Sequence, residues 1–271
     1  MKFRYFSLYF ASVGPRQALL ILYAGFTWVF TSRRRRIKLE TLLKSEYCVG
    51  QVRCYTSARG AIAAFLRSIN IGMEDSVLLS SFTCLAVPSA VIACGAKPIY
   101  VDINPRSLNV DFENIQKAIR SNTKVIVLQH TMGRPIDKLE EICRFCRERG
   151  VLIIEDCALS VGTKNNGMPV GVKGDVAIFS LELSKTISCG WGGILINNNE
   201  YLEQAIDEDY KNTPEENLTT SCRKLLQVFL TGLLYSEYVY FIGKYIVALG
   251  YRIDFFKGST TKQEFEGLIP P

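Results

Sequence analysis

The chain has 271 residues, of which 48% are hydrophobic and 21% are charged, and its formal net charge is +6. This composition supplies a substantial packed core, which excludes a disordered chain, and the basic excess is too small for a nucleic-acid-binding protein. The nine cysteines are scattered and His130 is the sole histidine, so we expect reduced core thiols in a cytoplasmic protein and no metal site.

The first 55 residues form a segment with its own character. An apolar run at 17–30 is followed by four arginines at 33–36. As a helix, these 14 residues would span about 21 Å, short of the roughly 30 Å hydrocarbon core of a bilayer. We therefore expect a helix that packs within the protein or against a partner. The less favoured alternative is an interfacial helix whose arginines meet anionic lipid.

From residue 56 to about 200, strand and helix patterns alternate. Apolar strands separated by helices indicate right-handed βαβ crossovers and a mainly parallel sheet with helices on both faces. We therefore predict an α/β fold, a three-layer αβα sandwich. Ligands of such sheets bind at the carboxyl ends of the strands. The predicted strands are 77–81, 97–103, 124–130, 151–156, 175–183 and 192–198, and the predicted helices are 61–69, 87–94, 111–120 and 135–149.

The last segment, 201–271, reads as a helical extension. Residues 228–251 are apolar and aromatic, but Glu237 and Lys244 interrupt them and make a membrane span costly. We expect packing helices here, with an interfacial role as the minority alternative. The final residues, GLIPP, do not resemble the end of a domain.

Two polar residues follow apolar strands and are candidates for chemistry. Asp156 ends one strand, so its carboxylate should emerge at the sheet edge while Glu155 points the other way. Lys185 lies in a turn rich in serine and glycine after the next strand. In a cleft of low dielectric constant, a neutral lysine amine can attack an aldehyde to form a Schiff base. The alternatives are a capping aspartate and a solvated surface lysine.

A turn with hydroxyl groups opens the first helix of this region, at Ser57, Ala58, Arg59 and Gly60. Backbone N–H groups at a helix start, together with an arginine, favour binding of a phosphate, although a plain helix cap has the same pattern. Ser180 precedes Lys185 by five positions. A phosphate cradle, a strand-end aspartate and a lysine in a glycine-serine turn together match what pyridoxal phosphate requires, since the carboxylate keeps the pyridine nitrogen protonated.

The stretch from Ser57 to about Asn198 resembles the DegT/DnrJ/EryC1/StrS family of pyridoxal-phosphate sugar aminotransferases. The similarity lies in the run SFTCLAVPSAVIACGAKPIYVDINPRSLNVD, in IIEDCALSVGT, which is similar to the family's aspartate motif, and in FSLELSKTISCGWGG, which is similar to its lysine motif. These motifs occur in the family's order and spacing and cover about half of the chain.

The resemblance implies the large domain of the fold-type I aminotransferases. It implies Lys185 as the lysine that forms the internal aldimine, Asp156 as the partner of the pyridine nitrogen, and Ser180 with Ser57, Ala58 and Arg59 around the phosphate. It further implies a homodimer, a nucleotide-linked keto-sugar as substrate and glutamate as amino donor, in the synthesis of an amino sugar for a polysaccharide or a secondary metabolite. A sugar dehydratase on this fold is disfavoured because Lys185 is present.

Four positions depart from the family pattern. Cys84 stands where an aromatic residue commonly stacks on the cofactor, and Leu159 stands where a glutamine is usual. Thr186 replaces a frequent asparagine and Trp191 replaces a glutamate. The family's small C-terminal domain would begin about where the chain stops, at Pro271. These departures motivate a second hypothesis, a catalytically silent or truncated dimer or assembly module. A nicotinamide-binding Rossmann domain ranks low, because no GxGxxG turn follows a predicted strand.

Overall fold

The computed structural model describes residues 15–234, 239–253 and 255–256. Within these ranges, helices and strands alternate through the middle of the chain, and helices flank both ends. The helices are α1 (Pro15–Phe26), α2 (Trp28–Tyr47), α3 (Ala58–Ser68), α4 (Ala86–Ala93), α5 (Phe112–Ala118), α6 (Leu139–Arg147), α7 (Glu203–Asn212), α8 (Leu218–Leu234) and α9 (Tyr240–Arg252). The strands are β1 (Gln51–Tyr55), β2 (Ser76–Ser80), β3 (Lys97–Val101), β4 (Thr123–Gln129), β5 (Leu152–Asp156), β6 (Lys164–Asn165), β7 (Met168–Pro169), β8 (Val176–Ser180) and β9 (Gly193–Asn197).

Seven of the strands form one mixed sheet in the order β1-β9-β8-β5-β4-β2-β3. The five strands from β8 to β3 run parallel to their neighbours, while β9 is antiparallel to both β8 and β1. Strands β6 and β7 form a separate small hairpin. The carboxyl ends of β2, β4, β5 and β8 therefore lie at one edge of the sheet, which is where the predicted site residues are found.

Helices cover both faces of the sheet, so the predicted αβα sandwich is confirmed. Alternate residues of the parallel strands face opposite ways because side chains in a strand alternate between its two sides. Val77, Val125 and Ile154 pack against α3, α4 and α7. Leu78 and Ile126 face α5 and α6 on the other side. Helix α2 covers the same face of the sheet as α5 and α6, over β8 and β9.

All six predicted strands are present, with ends that differ by a few residues. Strand β1 was not predicted, because QVRCY is short and has no continuous apolar run like those of the predicted strands. It pairs with β9 along its whole length, from Gln51 opposite Asn197 to Tyr55 opposite Gly193. The sheet therefore includes residues that the sequence patterns assigned to the N-terminal segment.

Three helices form a layer outside the sandwich. Helix α1 packs against α8, and α9 packs against α8 in turn. The apolar run predicted as one helix at 17–30 is divided between α1 and α2, and the arginines at 33–36 lie inside α2. Across the residues described, no helix combines the length and apolar character needed to cross a bilayer. Glu237 and the GLIPP terminus lie outside the described residues.

All nine cysteines are free thiols. The expectation that they belong to the core is right for Cys143, Cys146 and Cys157, and burial raises the pKa of Cys143 to about 12 and that of Cys146 to about 11. The expectation is wrong for four cysteines that are exposed because they lie in loops or on the outer helices. These are Cys48, Cys84, Cys189 and Cys222.

Candidate functional site

A cleft of about 210 Å³ opens at the carboxyl ends of β2, β4 and β5. Asp156 lies at its floor, at the last position of β5, and Lys185 reaches it from the loop after β8. Cys84 lines it as well. The complete lining consists of Phe82, Thr83, Cys84, Gln129, His130, Thr131, Met132, Asp156, Ala158, Leu159 and Lys185.

The Asp156 carboxylate is almost fully buried, with a residue exposure of 6%. Burial raises the pKa of this carboxyl above its ordinary value. The Ala158 N–H, which donates to Oδ1 at 3.0 Å, and the charge of Lys185 lower the pKa in part. A further positive charge placed next to this carboxyl group would therefore stabilise its ionised form.

Glu155 points to the other side of β5, as the two-residue period predicts. Its carboxylate accepts hydrogen bonds from Nε2 of His130 at 2.9 Å and from the N–H groups of Gly171, Lys173 and Gly174 at 3.0, 2.6 and 2.6 Å. Burial alone would raise the pKa of Glu155, but these hydrogen bonds outweigh it and the pKa is lowered. A buried glutamate is thus held as a carboxylate by four donors.

His130 lines the cleft and is also completely hydrogen-bonded. Its Nδ1 accepts the N–H of Ile136 at 3.3 Å, so the ring proton lies on Nε2, which donates to Glu155. Its main chain is tied to β5, since its N–H donates to the carbonyl of Asp156 at 3.1 Å. His130 therefore both lines the cleft and anchors β4 to β5. His130, Glu155 and Cys157 lie close together, but the ring nitrogens and the carboxylate are already engaged.

Lys185 is carried by a loop at residues 181–192, which we call the lysine loop. Backbone hydrogen bonds close the loop on itself, from Leu181 to the carbonyl of Gly192 at 2.9 Å and from Lys185 to that of Glu182 at 3.0 Å. Leu183 and Trp191 pack against Val228 of α8. A Cβ on Gly190 would lie 2.2 Å from a methyl group of Val228, so this glycine allows the close approach of loop and helix.

The predicted phosphate cradle begins α3. Ser57 is the N-cap, and its side chain accepts the N–H of Gly60 at 3.0 Å. Gly193 of β9 packs on the backbone of this turn: a Cβ there would lie 2.3 Å from the carbonyl carbon of Ser57 and 2.4 Å from the nitrogen of Ala58. Because Gly193 pairs with Ser180, the sheet brings Ser180 next to the turn.

Ser57, Ala58, Arg59 and Ser180 do not line the cleft itself, whereas Cys84 does. Arg59 is nevertheless close to it. Burial lowers the pKa of the Arg59 guanidinium, and a smaller electrostatic effect of the nearby Cys84 opposes this. The predicted site residues are thus divided between a cleft and an adjoining helix terminus, which meet near Cys84 and Arg59.

A polar wall of the cleft was not predicted. Thr83 donates to Oε1 of Gln129 at 2.7 Å, and Nε2 of Gln129 donates to the Phe82 carbonyl at 3.2 Å and to Thr131 at 3.1 Å. The Phe82 side chain is 45% exposed and lies in the same cleft as Cys84. Gln129 ends β4, so the strand-end rule that selected Asp156 also applied to it.

A second open groove, of about 310 Å³, lies at the opposite end of the sheet, where β2, β4 and β5 begin. Asp75 and Lys124 are its charged lining residues, and the Asp75 carboxylate already accepts the N–H of Gly72 at 3.0 Å. The amino ends of parallel strands are not where ligands of such sheets bind. The cleft at Asp156 and Lys185 is therefore the candidate site.

Known proteins similar to this chain include nucleotide-sugar aminotransferases. A GDP-perosamine synthase of Vibrio cholerae is 34% identical over 149 residues, which are 54% of this chain and 40% of that protein. A dTDP-4-dehydro-2,3,6-trideoxy-D-glucose 4-aminotransferase of Saccharopolyspora spinosa is 33% identical over 53% of this chain and 37% of its own length. The matched part thus spans about two fifths of these relatives.

Solved structures show the same fold. An aminotransferase from Psychrobacter cryohalolentis matches with a TM-score of 0.66 and 24% identity over 73% of this chain and 50% of that one. The aminotransferase TlmJ from Streptoalloteichus hindustanus matches with a TM-score of 0.63 and 29% identity, over 68% of this chain and 52% of that one. The model of the DegT/DnrJ/EryC1/StrS aminotransferase family matches residues 28–213, more than half of the chain, and the protein therefore belongs to this family.

Proposed function

We propose that this chain is the cofactor-binding part of an aminotransferase that uses pyridoxal phosphate, held covalently by Lys185, to aminate a nucleotide-linked keto-sugar. One observation carries the proposal: Lys185 and Asp156, 29 positions apart, line one cleft and interact electrostatically. A lysine and a buried carboxyl that share a cleft are the two protein groups that the chemistry of this cofactor needs most.

The residues present fit the cofactor. Asp156 would accept a hydrogen bond from the protonated pyridine nitrogen, which would offset the burial that now raises its pKa. The N–H groups at the start of α3 would bind the phosphate, with Ser57, Ala58 and Arg59 next to Ser180. When bound, pyridoxal phosphate supplies an electron sink for the electron pair released at the substrate carbon.

The other residues of the site would position the cofactor and transfer protons. The Lys185 amine would attach the cofactor and, once displaced by an amino substrate, would carry a proton to and from the substrate carbon. His130 would keep β4 and β5 in register under the cleft through its bonds to Asp156 and Glu155. Phe82 lies where it could supply the ring contact that Cys84 lacks.

Substrate and assembly form part of the same proposal. The relatives aminate GDP-linked and dTDP-linked sugars, which supports a nucleotide-linked keto-sugar here, with glutamate as the amino donor. We further propose a cytoplasmic homodimer with the three segments predicted from the sequence: an N-terminal segment at 1–55, a cofactor-binding domain at 56–200 and a helical extension at 201–271. The first segment contributes strand β1 to the sheet of the second. The matched part spans less than half of these relatives' length, so the activity and the substrate of the whole enzyme belong to this proposal.

The test is covalent attachment. Protein mixed with pyridoxal phosphate should develop the absorbance of a lysine-bound cofactor, and borohydride should fix the cofactor to the peptide that contains Lys185, as read by mass spectrometry. Lys185→Ala should abolish both signals, while Lys173→Ala, on another loop, should change neither. A folded wild-type protein without the absorbance would refute the proposal.

A second candidate is a catalytically silent dimer or assembly module. It is favoured by Leu159, which lines the cleft, and by Trp191, which packs on Leu183 and Val228. Both stand where the family pattern has polar residues. A Lys185→Ala variant that keeps the biological phenotype intact would support this candidate, and loss of the phenotype would support the enzyme.

A further inference from the structure

Helix α9 exposes almost its whole apolar surface. The side toward the protein is a narrow stripe of Gly243, Val247 and Gly250, all buried. Gly243 lies against the backbone of Leu234, and Gly250 lies against the Phe256 ring. The other side presents large apolar side chains whose residues are 46–69% exposed: Phe241 61%, Ile242 69%, Tyr245 69%, Ile246 46% and Leu249 56%.

These five positions form one continuous face, because residues three and four apart are neighbours on a helix. We call them the α9 face. Scattered exposed apolar residues are ordinary, but a contiguous apolar face is the mark of an interaction surface. Helix α1, which also packs on α8, has a similar exposed set in Leu19, Leu20, Tyr23 and Phe26.

The charged residues on the three outer helices are all basic. Helices α1, α8 and α9 contain no aspartate or glutamate, and their charged residues are Arg16, Arg223, Lys224, Lys244 and Arg252. Lys224 is paired with Glu216, just before α8. Lys244 lies within the α9 face, where its ammonium is 5.1 Å from the centre of the Phe241 ring and 4.9 Å from that of Tyr245. The face is thus apolar and aromatic with a cation at its middle.

We propose that the α9 face docks on the surface of a bilayer that contains anionic phospholipid. Helices that lie in the interface bury an apolar face at the boundary between headgroups and acyl chains, and basic residues add attraction to anionic lipid. The α9 face has this composition. Its 13 residues are too few to cross a bilayer, so the contact is peripheral.

A second copy of the chain fits the face less well. Two α9 faces packed on each other would bring Lys244 close to its counterpart, and α9 itself carries no carboxylate that could pair with either lysine. Anionic headgroups would supply a negative charge opposite Lys244. Phe241 and Tyr245 are also suited to the interface, where a ring meets apolar chains and a polar end meets water.

The test is sedimentation of the whole chain with vesicles. Wild-type protein should pellet with vesicles of equimolar phosphatidylcholine and phosphatidylglycerol at low salt, and should stay in solution with phosphatidylcholine alone or at high salt. The triple variant I242Q/Y245Q/L249Q should lower the partition coefficient at least about tenfold. Lys244→Glu should lower it about fivefold or more.

Control variants separate docking from folding. Met73→Gln and Tyr201→Gln remove apolar residues that are 75% and 89% exposed but lie outside the helical layer, and they should pellet like the wild type. Far-ultraviolet circular dichroism and covalent attachment of pyridoxal phosphate should be the same in all variants. The proposal therefore fails or stands independently of the proposed enzymatic function.

Two results would overturn it. One is wild-type protein that remains in solution with the anionic vesicles, or a triple variant that pellets as well as the wild type. The other is a protein that does not sediment with vesicles but forms a dimer by light scattering, when the triple variant is a monomer. A second copy of the chain would then cover the α9 face.

Discussion

The positive charge of Lys185 lowers the pKa of the Asp156 carboxyl, against a larger upward effect of burial. Asp156 ends β5 and Lys185 lies in the lysine loop after β8, and both line the same cleft. Because the pKa of Asp156 stays above its ordinary value, ionisation of this carboxyl lowers the free energy of unfolding. Four predictions follow from this and neighbouring contacts.

Asp156→Asn should stabilise the protein without cofactor at neutral pH. In the wild type, the raised pKa means that the folded state binds more protons than the unfolded state, so stability falls as pH rises from the ordinary value of 3.8 through the folded pKa. Asparagine removes that loss and can still accept the Ala158 N–H. We expect a gain of about 1 kcal/mol, or roughly 2–4 °C in Tm, at pH 7.

Thermal melts without cofactor check this prediction. The Tm difference between Asp156→Asn and the wild type should shrink toward zero in acid, where the aspartate is protonated in both states. The same variant should bind pyridoxal phosphate at least about tenfold more weakly, because it loses the charge opposite the pyridine nitrogen. A variant that melts below the wild type at pH 7 would contradict the raised pKa.

Glu155→Gln should destabilise the fold by about 3 kcal/mol at pH 7. The carboxylate accepts four hydrogen bonds, and a glutamine would turn an NH₂ group toward some of the same donors. The lowered pKa gives the opposite pH dependence to Asp156: the stabilisation is present above the ordinary value of 4.5 and is lost as pH falls through the folded pKa.

Urea denaturation at pH 7 and in acid measures both effects of the Glu155 change. Glu141→Gln, at an exposed position on α6, is the matched control and should stay within about 0.5 kcal/mol of the wild type. Equal stability of Glu155→Gln and Glu141→Gln at pH 7 would show that the hydrogen bonds to the Glu155 carboxylate do not stabilise the fold.

Gly193→Ala should damage the phosphate cradle. The added Cβ would meet the backbone of Ser57 and Ala58 at 2.3–2.4 Å, so the turn that begins α3 must shift away from β9. We expect a loss of about 2–3 kcal/mol in the free energy of unfolding and a weaker affinity for pyridoxal phosphate, measured by absorbance titration. Gly72→Ala, where a Cβ meets nothing within 4 Å, should change neither quantity by much.

Gly190→Ala should displace the lysine loop from α8. Its Cβ would overlap Val228, and the backbone at Gly190 has a φ of +94°, which is strained for alanine. Covalent attachment of the cofactor at Lys185 should become at least about tenfold slower. The double variant Gly190→Ala with Val228→Ala should recover part of the rate, because it removes the overlap and leaves the strain. No recovery would show that α8 does not set the loop position.

The mainly parallel sheet, and the position of Asp156 and Lys185 at one edge of it, could be predicted from the sequence. Strands β2, β4, β5, β8 and β9 contain long apolar stretches because both of their faces are covered, and this pattern predicted that Asp156 and Lys185 lie at the same edge of the sheet. The opposite direction of Glu155 followed from the two-residue period. Strand β1 could not be predicted in the same way, because its pattern of buried and partly exposed residues is set by β9 and α7, where Arg53 forms a salt bridge with Asp207.

Other parts of the site depend on contacts that a local pattern does not contain. The bond from His130 to Glu155 joins residues 25 positions apart, and the donors from Gly171 to Gly174 come from a loop without a sequence signal. Trp191 departs from the family pattern, and only the structure shows that its ring packs beside Val228 with Lys224 above it at 5.2 Å.

Val228 of α8 packs against Leu183 and Gly190 of the lysine loop. The loop is therefore attached to two cooperative units, the sheet and helix α8. The loop leaves the sheet at β8, but its buried side chain rests on α8. Local opening of a protein proceeds through the least stable unit, so the amides of the lysine loop should exchange with solvent hydrogen at the rate set by α8 rather than at the slower rate of β8. A chain that ended before Leu218 would keep its sheet and lose the surface that holds Lys185 in place.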